Sequence, residues 1–283
     1  MLPTFFIPGA AKSGTSSLHA LLAQHPDIAM TQPKEPHGFA LRRWAADPPA
    51  RYRDLWGDRA DRAVRGESST STLVCPEALD RIRTWVPDAR FVCLLREPVR
   101  RTWSHWTWMR AQGLEWRDFR AALLAEGDAP FDPERSLDGN YRSYLRSSRY
   151  GEQIAALHDR FGAERVLVLT TEALRADPLA SANLCFRFLG VAPLAAIAPV
   201  WANETPRAPW PPAQAAIWGA SLRLRRPFGR LGIPLRAAVR AWQQLQPPVG
   251  DHPQLPPDDA AWLRARLADD QALLAERLGR TLW

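Results

Sequence analysis

Apolar residues along this chain fall into short unbroken runs separated by stretches with helical spacing. The first run, Thr4 to Ile7, precedes the glycine- and serine-rich segment PGAAKSGTSS and then LHALLAQH, whose apolar residues recur three and four apart. This order predicts a strand, a loop and a helix. A helix is expected over Pro76 to Trp85, ahead of RFVCLL, a continuous apolar run typical of a parallel strand covered on both faces, and REPVRRTWSHW opens another helix. A third unit joins a helix over about Arg146 to Phe161 to the run VLVLT at Val166 to Thr170, with helical spacing again from Pro178 to Leu189. Strands alternating with helices predict an α/β fold with a parallel sheet and right-handed crossovers. Beyond Pro193 the chain is proline-rich to Pro212, then basic and amphipathic, and ends in a helix expected from about Asp258 to Leu278. The expected organisation is one α/β domain over residues 1–283 with a basic, proline-rich C-terminal region from about 193.

The 46% apolar and 24% charged content suits a protein with a real core and excludes wholesale disorder. No run approaches 18 apolar residues, and the N-terminus lacks the basic start and apolar length of a signal peptide, so a cytoplasmic protein is expected. Cys75, Cys93 and Cys185 have no paired spacing and read as buried small hydrophobes. The net charge of +7 is local: Thr205 to Gly250 holds seven arginines and no acidic residue. That segment argues against general nucleic-acid affinity and for a surface meeting an anionic acceptor, an acidic membrane through residues 217–245, or solvent. Of the 37 basic residues 35 are arginine, and only Lys12 and Lys34 are lysine. A lysine retained against such a bias marks a place for a compact point charge.

The strongest local signal is Gly9 to Ser17, G-A-A-K-S-G-T-S-S, because it follows a strand and opens a helix. Backbone N–H groups there cradle an anion, and the hydroxyls of Ser13, Thr15, Ser16 and Ser17 add donors. Gly9 and Gly14 have Walker A separation, but Thr15 and Ser16 stand where that motif needs lysine and then a hydroxyl. The lysine lies inside the loop, at Lys12, which disfavours an ordinary nucleoside triphosphatase.

These residues resemble the sulfotransferases that use 3′-phosphoadenosine 5′-phosphosulfate (PAPS). The family's phosphosulfate loop, G-x-x-K-[SG]-G-T-[ST]-[SA]-L, is similar to G-A-A-K-S-G-T-S-S-L here, and its 3′-phosphate signature is similar to FVCLLREPVRRTWSHW, with Arg96 and Ser104 eight residues apart. K-E-P-H-G-F at Lys34 to Phe39, S-R-Y-G at Ser148 to Gly151 and the ending LLAERLGRTLW extend the likeness towards bacterial relatives of the heparan sulfate glucosaminyl sulfotransferases. The resemblance implies a P-loop-like three-layer fold with a central parallel sheet flanked by helices, and PAPS as donor with no metal required. It also implies a cofactor site of Lys12, Ser13, Gly14, Thr15, Ser16, Arg96, Ser104 and Tyr150. Arginine and serine suit a phosphate, since a guanidinium grips it bidentately and a hydroxyl adds a bond.

Sulfuryl transfer requires donor and acceptor in line, charge neutralised on the leaving phosphate, and a base for the acceptor proton. Lys12 is the candidate for the leaving-group charge. Glu35 is the candidate base, expected to be buried among Pro33, Pro36 and Phe39 with its pKa raised, and His37 is an alternative base or an orienting group for the acceptor. The chain departs from the glucosaminyl pattern at three places. Ser68 and Thr72 replace the lysine and the aromatic of E-K-[TS]-x-x-Y, Gly38 and Ala40 replace sugar-holding groups, and Asn203 and Arg207 stand where a lysine-glycine-arginine loop is expected. The expected acceptor is a carbohydrate or another small molecule. Trp103, Trp106 and Trp108 cluster beside Ser104 and suit either a sugar face or the core. A P-loop kinase and a non-catalytic nucleotide- or membrane-binding module are the rival readings.

Overall fold

The computed structural model of the chain describes residues 1–44, 46–111, 114–127, 131–134, 142–198, 200 and 254–283. Asn203, Arg207 and the basic segment 217–245 lie outside them. The central feature is a five-stranded sheet of β1 (Phe5–Phe6), β2 (Ile28–Met30), β3 (Val64–Glu67), β4 (Arg90–Leu95) and β5 (Val166–Thr170), in the spatial order β2-β3-β1-β4-β5. Every pairing is parallel, with Phe5 opposite both Gly66 and Arg90, and Cys93 opposite Val168. Parallel neighbours require crossovers, and these run through the helices α1 (Thr15–Leu22), α2 (Pro48–Tyr52), α3 (Pro76–Trp85), α4 (Pro98–Ala111), α5 (Phe119–Leu124) and α6 (Tyr150–Phe161), while α7 (Thr171–Ala176) and α8 (Pro178–Leu189) follow the last strand.

Successive strand residues point to opposite faces, so each strand feeds two cores. Phe6, Phe91 and Cys93 pack with Phe39, Tyr52, Leu79, Tyr150 and Phe161 on one side. Phe5, Val92 and Leu94 pack with Leu18, Leu21, Cys185 and Phe186 on the other. A third cluster joins α4 and α5 to the last helix, α9 (Pro257–Leu278), through Val99, Trp106, Phe119 and Leu263. Helix α9 also lies along α6, where the Asp270 carboxylate accepts from the Gly151 and Glu152 amides, both at 3.0 Å, and so caps that helix. A Cβ on Gly151 would stand 2.3 Å from the Asp270 carbonyl oxygen, so the close approach of the two helices requires glycine there.

The three-layer arrangement of a parallel sheet between helices agrees with the sequence reading, and α3, β4, β5 and α8 keep the expected bounds. Strands β2 and β3 were not anticipated, being three and four residues long with a charged VRGE in β3. Helix α6 starts at Tyr150 rather than near Arg146, because residues Arg146–Ser148 form a separate 3-10 turn. There the Ser148 hydroxyl takes a 2.6 Å bond from Arg101 Nε and lies 2.7 Å from Thr102 Oγ1. All three cysteines are buried, as expected of small hydrophobes. Among the described residues no helix is long and apolar enough to cross a membrane.

Candidate active site

The carboxyl ends of β1, β3 and β4 lie side by side, and the loops leaving them carry most of the singled-out residues. Loop 8–14 links β1 to α1. Its amide Ala10 N–H donates to the Leu94 carbonyl at 2.8 Å, while the Thr171 hydroxyl donates to the Ser13 carbonyl at 2.6 Å and to that of Leu95 at 3.0 Å. The loop is thereby fastened to β4 and to the end of β5. Gly14, at φ 93°, takes the left-handed turn into α1, and no side chain caps the first turn of that helix. Its leading amides are left to serve an anion. Ser13 is fully buried beside the Tyr150 hydroxyl, and its Oγ has no hydrogen-bond partner of ordinary geometry.

Around this loop the structure gathers cations. The Arg96 guanidinium reaches the Lys12 carbonyl at 3.3 Å, and Lys12 Nζ sits 4.8 Å from the centre of the Trp108 ring. Burial, with the like charges of Arg96 and Arg101, pulls the Lys12 pKa down to about 8. Arg101 is wholly buried on α4, within bonding reach of Ser148, His105 and the Tyr144 carbonyl. Tyr150 is also fully buried, and its hydroxyl donates to the Arg96 carbonyl at 3.0 Å. It supports the backbone of Arg96 rather than presenting a face at the site. Ser104 lies half-buried on α4, one residue before the buried His105. Of the tryptophans near it, Trp103 and Trp106 pack on Phe119 as core, and Trp108 meets Lys12.

The second half of the site is the loop 31–40 after β2. Glu35 Oε1 takes a 2.5 Å bond from Lys34 Nζ, and Oε2 takes the Thr70 amide at 2.9 Å. The Thr70 hydroxyl spans both oxygens at 3.3 and 3.4 Å, and His37 Nε2 lies 3.7 Å from Oε2. These contacts correct the expected environment: the side chain is 29% exposed among polar partners rather than enclosed by Pro33, Pro36 and Phe39. Burial pushes its pKa up, but Lys34, His37 and the Thr70 amide outweigh that and hold it below the ordinary glutamate value instead of above it. The His37 amide donates to Ser69 Oγ at 2.9 Å, and its Nδ1 lies 2.8 Å from Ser71 Oγ.

Among the described residues, the non-glycine positions with positive φ are Lys12 at 69°, Glu35 at 61° and His37 at 53°. These are the three residues singled out for catalysis from sequence. Left-handed backbone costs such residues on the order of 1–2 kcal/mol each, and it persists where neighbours hold it.

At Glu35 and His37 what holds it is the segment Glu67-Ser-Ser-Thr-Ser-Thr72. From sequence this stretch showed only departures from a pattern, Ser68 for a lysine and Thr72 for an aromatic. In the fold it is a polar strip: Ser68 accepts the Glu35 amide at 3.2 Å, Ser69 and Ser71 hold His37, and Thr70 holds the Glu35 carboxylate. Ser68 Oγ also lies 2.8 Å from His19 Nδ1 of α1, and the Leu73 amide donates to the Pro8 carbonyl at 3.0 Å. The strip thus joins the phosphate loop to the Glu35 loop. Burial and the charge of Lys34 lower the His19 pKa to about 4, so that ring is neutral at physiological pH. A run of alternating hydroxyls directly after a strand was the available signal for this role.

Glu67, at the foot of the strip, is 1% exposed and accepts from Ser69 Oγ at 2.7 Å. Burial above all, with repulsion from Glu35, raises its pKa to about 7. The folded chain therefore keeps a proton that the unfolded chain releases near 4.5, so this group's contribution to stability falls as pH rises from about 4.5 to 7. Urea unfolding of wild type and Glu67→Gln is expected to show that loss, of roughly 2–3 kcal/mol, between pH 5 and pH 8 in wild type relative to the variant. Parallel pH profiles for the two proteins would contradict it.

Comparison with known proteins agrees with this architecture. A family model described as Sulfotransferase family matches residues 69–194, a span that includes Arg96, Ser104 and Tyr150. Human heparan sulfate glucosamine 3-O-sulfotransferase 6 is 29% identical over 191 residues, covering 67% of this chain and 52% of that protein. Rat carbohydrate sulfotransferase 15 is 22% identical over 287 residues, covering 80% of this chain and 51% of that protein. The chain spans about half the length of the curated relatives it matches. A crystal structure of a sulfotransferase from Alicyclobacillus acidocaldarius superposes with a TM-score of 0.70 at 26% identity, covering 100% of this chain and 98% of that one. The motif-bearing span, the curated relatives and the full-length structural likeness agree: in sequence and in fold the chain is similar to sulfotransferases.

Proposed function

We propose that the chain transfers the sulfuryl group of PAPS to a hydroxyl or amine of a carbohydrate or other small acceptor, by in-line displacement with Glu35 as general base. The observation that carries this reading is the strip 67–73, which ties a cation-rich phosphate loop and an ionised glutamate into one site. The residues fit the donor: the loop holds at Ser13 a buried hydroxyl with no hydrogen-bond partner of ordinary geometry and at Lys12 a lysine crowded by like charges, and both gain from an anion. The amides opening α1 and Lys12 bind the phosphosulfate, and Arg96 with Ser104 binds the 3′-phosphate. PAPS supplies an activated sulfuryl group with the nucleotide phosphate as leaving group.

As the acceptor oxygen or nitrogen bonds to sulfur, the bond from sulfur to the bridging oxygen breaks. Lys12 stabilises the negative charge left on that oxygen, and Glu35 takes the acceptor proton. His37, held by Ser69 and Ser71, orients the acceptor. The names of the relatives point to carbohydrate acceptors, while Ser68, Gly38 and Ala40 argue against a heparan-type one.

Calorimetric titration with 3′-phosphoadenosine 5′-phosphate (PAP), without magnesium, tests it. Wild type is expected to bind with micromolar or tighter Kd, about −8 kcal/mol. Arg96→Ala loses this binding, and ADP fails to replace PAP because it lacks the 3′-phosphate. Equal binding of ADP, or none of PAP, overturns the assignment in favour of a kinase or a bare binding module.

A further inference from the structure

We infer that Lys34 is the positioning residue of the general base: its ammonium clamps Glu35 Oε1 and sets the geometry and protonation in which that carboxylate works. The inference deepens the proposed function and rests on it. Three observations carry it. The chain contains two lysines among 37 basic residues, and both sit in this site, Lys12 in the phosphate loop and Lys34 on the glutamate. Arginine serves nearly everywhere else, including the buried position 101, so a point charge survives only at the two places beside the chemistry.

The second observation is directional. Lys34 holds Oε1, while the Thr70 amide holds Oε2, so the carboxylate is fixed from both ends on a backbone at φ 61°. Third, Lys34 lies within the field of His19 on α1, whose ring is 2.8 Å from Ser68 Oγ of the strip that holds Glu35. The groups facing Glu35 are Lys34 and His37 from its own loop and Thr70 from the strip, with Glu67 at the end of β3 and His19 on α1 beyond them.

With only two lysines, the clamp can be read directly and without any donor or acceptor. Protein labelled with [13Cε]lysine shows two lysine side-chain signals, assigned by the loss of one in Lys34→Arg. The Lys34 signal is expected to shift in Glu35→Gln while that of Lys12 stays in place. An unmoved Lys34 signal means the pair does not form, and the inference fails whatever the protein binds.

The second arm follows release of PAP from PAPS, with water or an added acceptor, as a function of pH. Lys34→Met is expected to move the acid limb of kcat/KM up by about one pH unit or more, because Glu35 then holds its proton more tightly. Lys34→Arg is expected to restore most of that shift. A merely structural role lowers the rate at all pH values and leaves the limb in place, which would overturn the inference. Failure of PAP to bind with the lysine signals behaving as expected overturns the sulfotransferase reading instead.

Discussion

Glu35→Gln is expected to lower kcat for sulfuryl transfer by about 10²–10⁴, the range that a positioned general base contributes, while PAP binds as in wild type. Glutamine keeps the shape, and its one carbonyl oxygen accepts from either the Thr70 amide or Lys34, while the NH2 in place of the other oxygen only donates, so one of the two bonds is lost. What it loses is the capacity to take a proton. Glu35 is kept below the ordinary carboxylate range by Lys34, His37 and the Thr70 amide despite its burial, so it is already ionised at neutral pH. The acid limb of the wild-type rate should therefore fall below about pH 4.5. Rates of PAP release from PAPS, measured beside calorimetric PAP affinities, check both parts. Near-normal kcat in the variant would move the role to His37, whose Nε2 lies 3.7 Å from the same carboxylate.

Lys12→Met is expected to lower kcat by about 10²–10³, the loss seen when one preorganised group at a developing charge is removed. A pH dependence accompanies it. Burial, Arg96 and Arg101 bring the Lys12 pKa down to about 8, so in the free protein the ammonium is present below pH 8 and lost above it. An anion favours the charged form, and PAP affinity should fall between pH 8 and pH 10 by up to about tenfold per unit. In Lys12→Met that alkaline decline should flatten. Calorimetry at pH 7, 8 and 9 separates the outcomes: an equal slope in wild type and variant assigns the titration to another group. Trp108, under the ammonium at 4.8 Å, gives Lys12 an apolar face to rest on without neutralising its charge.

Much of the molecule was legible in the order of residues because the informative signals are local. The runs RFVCLL and VLVLT are long and apolar enough to announce β4 and β5, and a glycine-rich loop between a strand and a helix announces an anion site wherever it occurs. Lys12, Glu35 and His37 were singled out by residue type together with the resemblance of their motifs to the sulfotransferases, and Arg96 and Ser104 by that resemblance.

Only the tertiary structure decided how those residues act. Strand β2 is too short and β3 too short and too polar to stand out, yet their parallel pairing brings the Glu35 loop and the strip Glu67–Thr72 beside β1. The strip illustrates the limit: its hydroxyls mean nothing until the sheet sets them against residues 32–35 positions away in the chain, where they become the partners of Glu35 and His37. The sign of the Glu35 shift was misjudged for the same reason. Neighbouring prolines and Phe39 in sequence suggested an apolar shell that raises a pKa, whereas the folded neighbours are an ammonium and an amide that lower it. Local spacing determined the fold class and the phosphate loop, and the resemblance of the motifs added the residues for the chemistry. The sheet order determined their charges and partners, because a pKa depends on what lies within a few ångströms in space and not on what lies next along the chain.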